Sequence, residues 1–267
     1  MALLRYSATV GGYTIASRVL GFARDILIAA LMGAGPVADV FFVAFRFPNM
    51  FRRLVAEGAF TAAFVPLFTK RLEKEGEAAA RTFAEQTLAL LLPVLLAFLV
   101  LAEIAMPWLM YAIAPGFADE PFKFDLAVQF TRLTFPYLLF MALVALLGGV
   151  LNALYRFAAP AAAPILLNLF LIAALVGFAG FTETPGHALA WGVAAAGAGQ
   201  FLWLMFACHR AGVRLRLPRP RLTPEVRRLL AAAEGLRPLA QSLARGEAGV
   251  LSLAFVSTAD YGLLPLL

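Results

Sequence analysis

The 267-residue chain is 62% hydrophobic and 14% charged, against roughly 45–50% apolar and about 25% charged in soluble domains. A water-soluble enzyme cannot bury that much apolar surface, and sixteen prolines with twenty-one glycines break any long coiled coil. The net charge of +6 then points to anionic lipid or charge-biased topology rather than to nucleic acid.

In chain order, six segments are long and apolar enough to cross a bilayer: 8–33, 37–68, 86–113, 125–153, 158–181 and 187–209. Each meets the requirement of about 20 apolar residues. The expected fold class is an all-α polytopic membrane protein with about six transmembrane helices. Gly33-Ala34-Gly35-Pro36 reads as a tight turn, Lys70 to Arg81 as a charged loop, and Pro115 to Lys123 as an acidic turn. Tyr155-Arg156-Phe157 is a minimal connection, and Thr182 to Gly186 is a further turn. The expected organisation is a membrane unit over 1–211, a basic linker over 212–228, and a divergent, cytoplasmic or interfacial tail over 229–267. The apolar start is itself a span and not a signal peptide.

Orientation follows from Lys and Arg. With the N-terminus in the cytoplasm, thirteen fall in cytoplasmic loops, seven of them between Arg210 and Arg228, against Lys123 alone outside. Trp108 and Tyr111 then mark the outer end of the third span. Cys208 forms no internal disulfide, His187 and His209 read as solvated or interfacial, and no cofactor or metal is expected. Gly148-Gly149 and the Ala158–Ala163 run suit close helix packing, and most of the phenylalanines read as lipid-facing bulk.

The first two spans carry charges that lipid does not tolerate. At 100° per residue, Thr14, Ser17, Arg18, Gly21, Arg24 and Asp25 share one face about 120° wide. Arg18 lies roughly 16 Å into its span at 1.5 Å per residue. Asp39, Arg46, Asn49, Arg52, Arg53 and Glu57 share one face of the second span. A charge at the bilayer centre costs about 2.5–3.5 kcal/mol on insertion scales, so the two faces are expected to meet across a hydrated cavity. Five arginines against Asp25, Asp39 and Glu57 leave it positive. That suits an anion with several oxygens, such as a pyrophosphate, because the guanidinium fork matches its geometry. The competing structural reading pairs Arg18 with Asp25 and Asp39 with Arg46 as bundle-holding ion pairs. Glu103 stands alone in the third span and suits a helix-pairing hydrogen bond; Glu85, Asp125 and Arg132 read as solvated.

These residues also carry a resemblance. Ser17 to Asp25 (SRVLGFARD), Ala38 to Asn49 (ADVFFVAFRFPN) and Phe51 to Pro66 (FRRLVAEGAFTAAFVP) closely resemble the MurJ/MviN family. Looser similarity continues through Phe135 to Phe140, Leu147 to Ala153, Ala159 to Asn168 and Leu222 to Leu230. Members are proposed lipid II flippases of bacterial cell-wall synthesis in the MOP exporter superfamily. The resemblance implies one lobe of a two-lobed fold working by alternating access, in the bacterial inner membrane. It assigns Arg18, Arg24, Asp25, Asp39 and Arg52, with Ser17 close by, to a cavity gripping the lipid-linked pyrophosphate. Arg24, Asp25 and Arg52 would reorganise during transport. It implies a length about twice this one, so a truncated reading frame diverging past Leu230 is the expectation, with a second lobe or self-association to complete the cavity.

Two other readings stand beside the transporter. One is a non-transporting interaction subunit or inactive fragment whose basic linker (Arg214, Arg216, Arg219, Arg221) binds anionic lipid or a partner. The other is an ion-coupled drug exporter, which five arginines disfavour. No nucleophile–base pair for enzymatic chemistry stands out.

Overall fold

The computed structural model describes residues 2–56 and 59–217, with the side chains of 2–5, 47–56, 59, 60 and 62 outside that description. The helices are α1 (Ala2–Met32), α2 (Pro36–Ala56), α3 (Ala59–Glu75), α4 (Glu77–Ile113), α5 (Pro121–Thr134), α6 (Pro136–Ala153), α7 (Ala158–Ala173) and α8 (Pro185–Arg210). A π-helical turn (Ala174–Phe178) and a 3-10 turn (Ala179–Phe181) extend α7.

Prolines open α2, α5, α6 and α8, where the missing N–H costs nothing and the fixed φ already suits a helix. Phe135 keeps helical backbone angles between α5 and α6. The pair therefore runs on as one apolar stretch, Pro121–Ala153, and with α4, Ala158–Phe181 and α8 it makes four helices long and apolar enough to cross a membrane among the described residues. The charged α1 and α2 are not among the four.

Within the segment over 37–68 the described residues form α2 up to Ala56 and α3 from Ala59; Glu57 lies outside them. One sequence expectation changes. The Lys70 to Arg81 stretch is not a loop. It forms the end of α3 and the start of α4, separated by Gly76 alone at φ +84°. Glycine occupies that left-handed conformation without the Cβ clash other residues meet, so one residue reverses the chain.

Helix α6 is the centre of the bundle. It is apolar all round, as a buried helix must be, and every residue from Met141 to Leu151 is buried. It packs on α2, α3, α4 and α8. The absence of a side chain at Gly149 brings Phe64 and Val65 of α3 close, the packing expected of the Gly148-Gly149 pair. Phe64 stacks on Phe83 of α4 with ring centroids 5.5 Å apart. Phe41, Phe64, Phe68, Phe83, Phe130 and Phe135 are all buried, whereas Phe22, Phe122 and Phe181 are exposed, so six depart from the mostly lipid-facing expectation. The six fill the gaps between helices that Ala and Gly hold at close range. His187 is half-buried: its ring meets Phe130 edge-on at 4.8 Å, its Nδ1 lies 2.9 Å from Thr184 Oγ1, and its Nε2 lies 3.8 Å from the exposed Glu183 carboxylate.

Candidate functional site

The polar face of α1 divides into two stripes. Ser17, Gly21, Arg24 and Ile28 follow helical spacing along the side that packs on α7. Thr14, Arg18 and Asp25 lie on the adjoining flank and are exposed. The opposite side of α1 presents Ile15, Val19, Phe22 and Ile26 outward.

Where α1 meets α7, Asn168 is the hub. It is only 5% exposed and sits in an otherwise apolar run, ILLNLFLIA. Its Nδ2 donates to the Ser17 carbonyl at 2.9 Å, and its Oδ1 accepts from Arg24 Nη1 at 2.9 Å. Arg24 also donates through Nε (2.9 Å) and Nη2 (2.7 Å) to one oxygen of Asp25. The guanidinium is thus held on two edges, with a side chain 19% exposed beside an Asp25 side chain 60% exposed. Gly21 faces the Asn168 amide, where a Cβ would sit 3.6 Å from Nδ2, at ordinary contact distance.

The remaining predicted residues are placed differently. Arg18, Asp39 and Arg46 are exposed, and none of their side chains is in a hydrogen bond or ion pair among the described residues. The bundle-holding pairs Arg18–Asp25 and Asp39–Arg46 are therefore not formed; Asp25 pairs with Arg24 instead. Asp39 lies in the first turn of α2, where a negative charge is favoured by the helix dipole. Asp39, Phe42 and Arg46 form an exposed stripe opposite buried Phe41 and Ala44. Asn49, Arg52 and Arg53 belong to the same helix, with side chains outside the described residues. Helix α1 packs on α7, whereas α2 packs on α5, α6, α3 and α8. The two charged faces are not in direct packing contact among the described residues.

Outside this cluster, Arg132 Nε donates to the Glu103 carbonyl at 3.3 Å, linking α5 to α4 through the backbone rather than through the carboxylate. Asn168 was not among the residues singled out for the site. The available signal was its lone polarity inside an apolar helix, which within a bilayer demands a partner.

Similarity to known proteins agrees with this frame. The family described as "Lipid II flippase MurJ" matches residues 28–236, a few residues beyond the point where the resemblance was expected to stop. A probable lipid II flippase MurJ of Rhizobium tropici is 48% identical over 237 residues, covering 87% of this chain and 44% of the relative. The lipid II flippase MurJ of Burkholderia cenocepacia is 43% identical over 202 residues, covering 76% of this chain and 39% of the relative. A solved structure of lipid II flippase MurJ in an inward closed conformation superposes with a TM-score of 0.66 at 21% identity, over 84% of this chain and 46% of that one. The fold is therefore that of part of a MurJ structure, and the chain spans less than half the length of these relatives. With its family matched over most of its length, this membrane protein belongs to the MurJ family.

Proposed function

We propose that this chain supplies the anion-recognising half of a lipid II flippase, a transporter and not an enzyme. In this reading it crosses the bacterial inner membrane about six times with its N-terminus in the cytoplasm. Residues 1–211 form the membrane lobe and residues 212–228 a cytoplasmic basic linker. The observation that carries the reading is the contrast within α1: Arg24 is clamped between Asp25 and Asn168, while Arg18, about one and a half turns away, is exposed and unpaired among the described residues.

A lone guanidinium facing hydrocarbon is expensive, so Arg18 is assigned to a hydrated cavity shared with Asp39 and Arg46, and with Asn49, Arg52 and Arg53 by position in α2. A pyrophosphate entering beside Arg18 competes with Asp25 for the Nε–Nη2 edge of Arg24, the edge that forms bidentate bonds to oxyanions. Asn168 holds the other edge and keeps the side chain aimed. Release of Asp25 on substrate entry and its return on exit give the site two states, as alternating access requires. Ser17 anchors the helix through its carbonyl rather than through a substrate bond.

Complementation tests the reading. A strain depleted of its own flippase is supplied with the full-length gene, with this chain, and with this chain plus a separately expressed remainder. Rescue by chain plus remainder, lost on Arg18→Ala, supports a half-transporter; rescue unchanged by Arg18→Ala and Arg24→Ala contradicts the assigned site.

A further inference from the structure

A groove with no residue of the α1–α7 cluster in its lining lies where α8 ends. It has a volume of about 590 Å³ and opens between α4, α6 and α8, lined by Leu88, Leu143, Leu147, Phe201, Met205 and Leu215. Its volume falls within the roughly 300–1,000 Å³ usual for small-molecule sites. Beside the buried thiol of Cys208, the charged or titratable side chains that line it among the described residues are His209 and Arg214, both exposed.

The chain builds this groove deliberately. Helix α8 stops at Arg210, and Gly212 takes φ +85°, a left-handed cap that lets the Val213 N–H bond back to the Cys208 carbonyl at 3.0 Å. The segment 213–217 then returns along the bundle. Val213 and Leu215 pack against the core, while Arg214 and Arg216 are exposed, the alternation of an extended chain. The Arg216 N–H donates to Glu85 Oε1 of α4 at 3.0 Å, which pins the strap across the mouth. Glu85 also lies 3.9 Å from Arg81, so the nearby carboxylate is already engaged. Between residues 210 and 221 the sequence holds five arginines and no acid.

The geometry points to a binding site for one anionic phospholipid of the surrounding membrane, with an acyl chain in the groove and the phosphate on Arg214 and His209. An apolar wall excludes a free soluble anion, and an unbalanced basic rim selects against a zwitterionic headgroup. Basic pockets between membrane helices are a recurring form of headgroup recognition. This site shares no residue with the α1–α7 cluster and does not depend on the transport reading.

The test is native mass spectrometry of the purified full chain with phosphatidylglycerol and phosphatidylcholine of identical acyl chains. Phosphatidylglycerol is expected to bind at least about fivefold tighter, the factor for about 1 kcal/mol from one basic side chain at a membrane surface. The His209→Gln/Arg214→Gln variant is expected to bind both equally. Met205→Trp, which fills the groove from its exposed edge, is expected to weaken both lipids while helicity and thermal stability are retained. Equal binding by the unaltered chain, an anionic preference that survives His209→Gln/Arg214→Gln, or unweakened binding by Met205→Trp overturns the site. So does cross-linking of position 205 to the chain's own residues beyond 217 in place of lipid.

Discussion

Arg24 and Asn168, 144 residues apart in the chain, are joined by a 2.9 Å hydrogen bond from Nη1 to Oδ1. That bond makes α7 the platform on which the charged face of α1 is set. A charge-assisted bond to a buried amide fixes the guanidinium on one edge and leaves the edge shared with Asp25 to exchange partners.

Replacement of Asn168 by Ala removes this bond and the one to the Ser17 carbonyl. Interhelical hydrogen bonds in membranes average about 0.6 kcal/mol, and bonds to charged groups run to about 1.5–3 kcal/mol. The expected loss is therefore about 1–3 kcal/mol, read as a lower unfolding midpoint in detergent. An unchanged midpoint contradicts the role of the α1–α7 clamp.

Asp25→Asn leaves Arg24 without its carboxylate and raises the local charge by one. Inorganic pyrophosphate is expected to bind more tightly to this variant than to the unaltered chain. Transport in the complementation assay is expected to fall, because the pair that must re-form on release is gone. Arg24→Lys is expected to bind worse, since an ammonium offers no planar fork. Unaltered pyrophosphate affinity in both variants excludes Arg24 from anion contact.

Two glycines should respond in opposite ways to alanine. At Gly186 a Cβ would meet Phe130 ring atoms at 2.6 Å and Val37 Cγ1 at 2.7 Å, with Phe130 fully buried. Gly186→Ala is therefore expected to cost about 1–3 kcal/mol by overpacking. At Gly21 the nearest atom would be Asn168 Nδ2 at 3.6 Å, an ordinary contact. Gly21→Ala is expected to be neutral or to gain up to about 1 kcal/mol of helix propensity. Thermal unfolding of the two variants decides.

Orientation is open to cysteine labelling, because Cys208 is 2% exposed and is removable as Cys208→Ala. Glu120→Cys, in the exposed turn before α5, is expected to react with an impermeant maleimide added to intact spheroplasts. Arg156→Cys, in the exposed turn after α6, is expected to react only after lysis. The reverse pattern contradicts an N-terminus in the cytoplasm.

Composition and charge position made the membrane class, the Gly33–Pro36 turn and the short connection at Tyr155 legible, because these are local properties. The polar face of α1 was legible for the same reason: it follows from 3.6-residue periodicity alone. Which helix that face meets was not, since periodicity says nothing about neighbours. Asn168 was therefore missed although it is the partner of both Ser17 and Arg24. Which phenylalanines are buried was not legible, because in a bilayer protein the core and the lipid face are equally apolar. Contacts such as those of Phe64 with Gly149 and Phe83 separate the two environments.

Recognition of a lipid-linked pyrophosphate by Arg18 and Arg24 is measured by binding of lipid II against undecaprenol to the purified chain. The chain is expected to prefer lipid II, and Arg18→Ala/Arg24→Ala to lose at least about tenfold of that affinity, as charge-assisted bonds of about 1.5–3 kcal/mol require. The preference is expected to survive Arg214→Gln. Lipid II bound equally well with both α1 arginines removed would contradict that recognition.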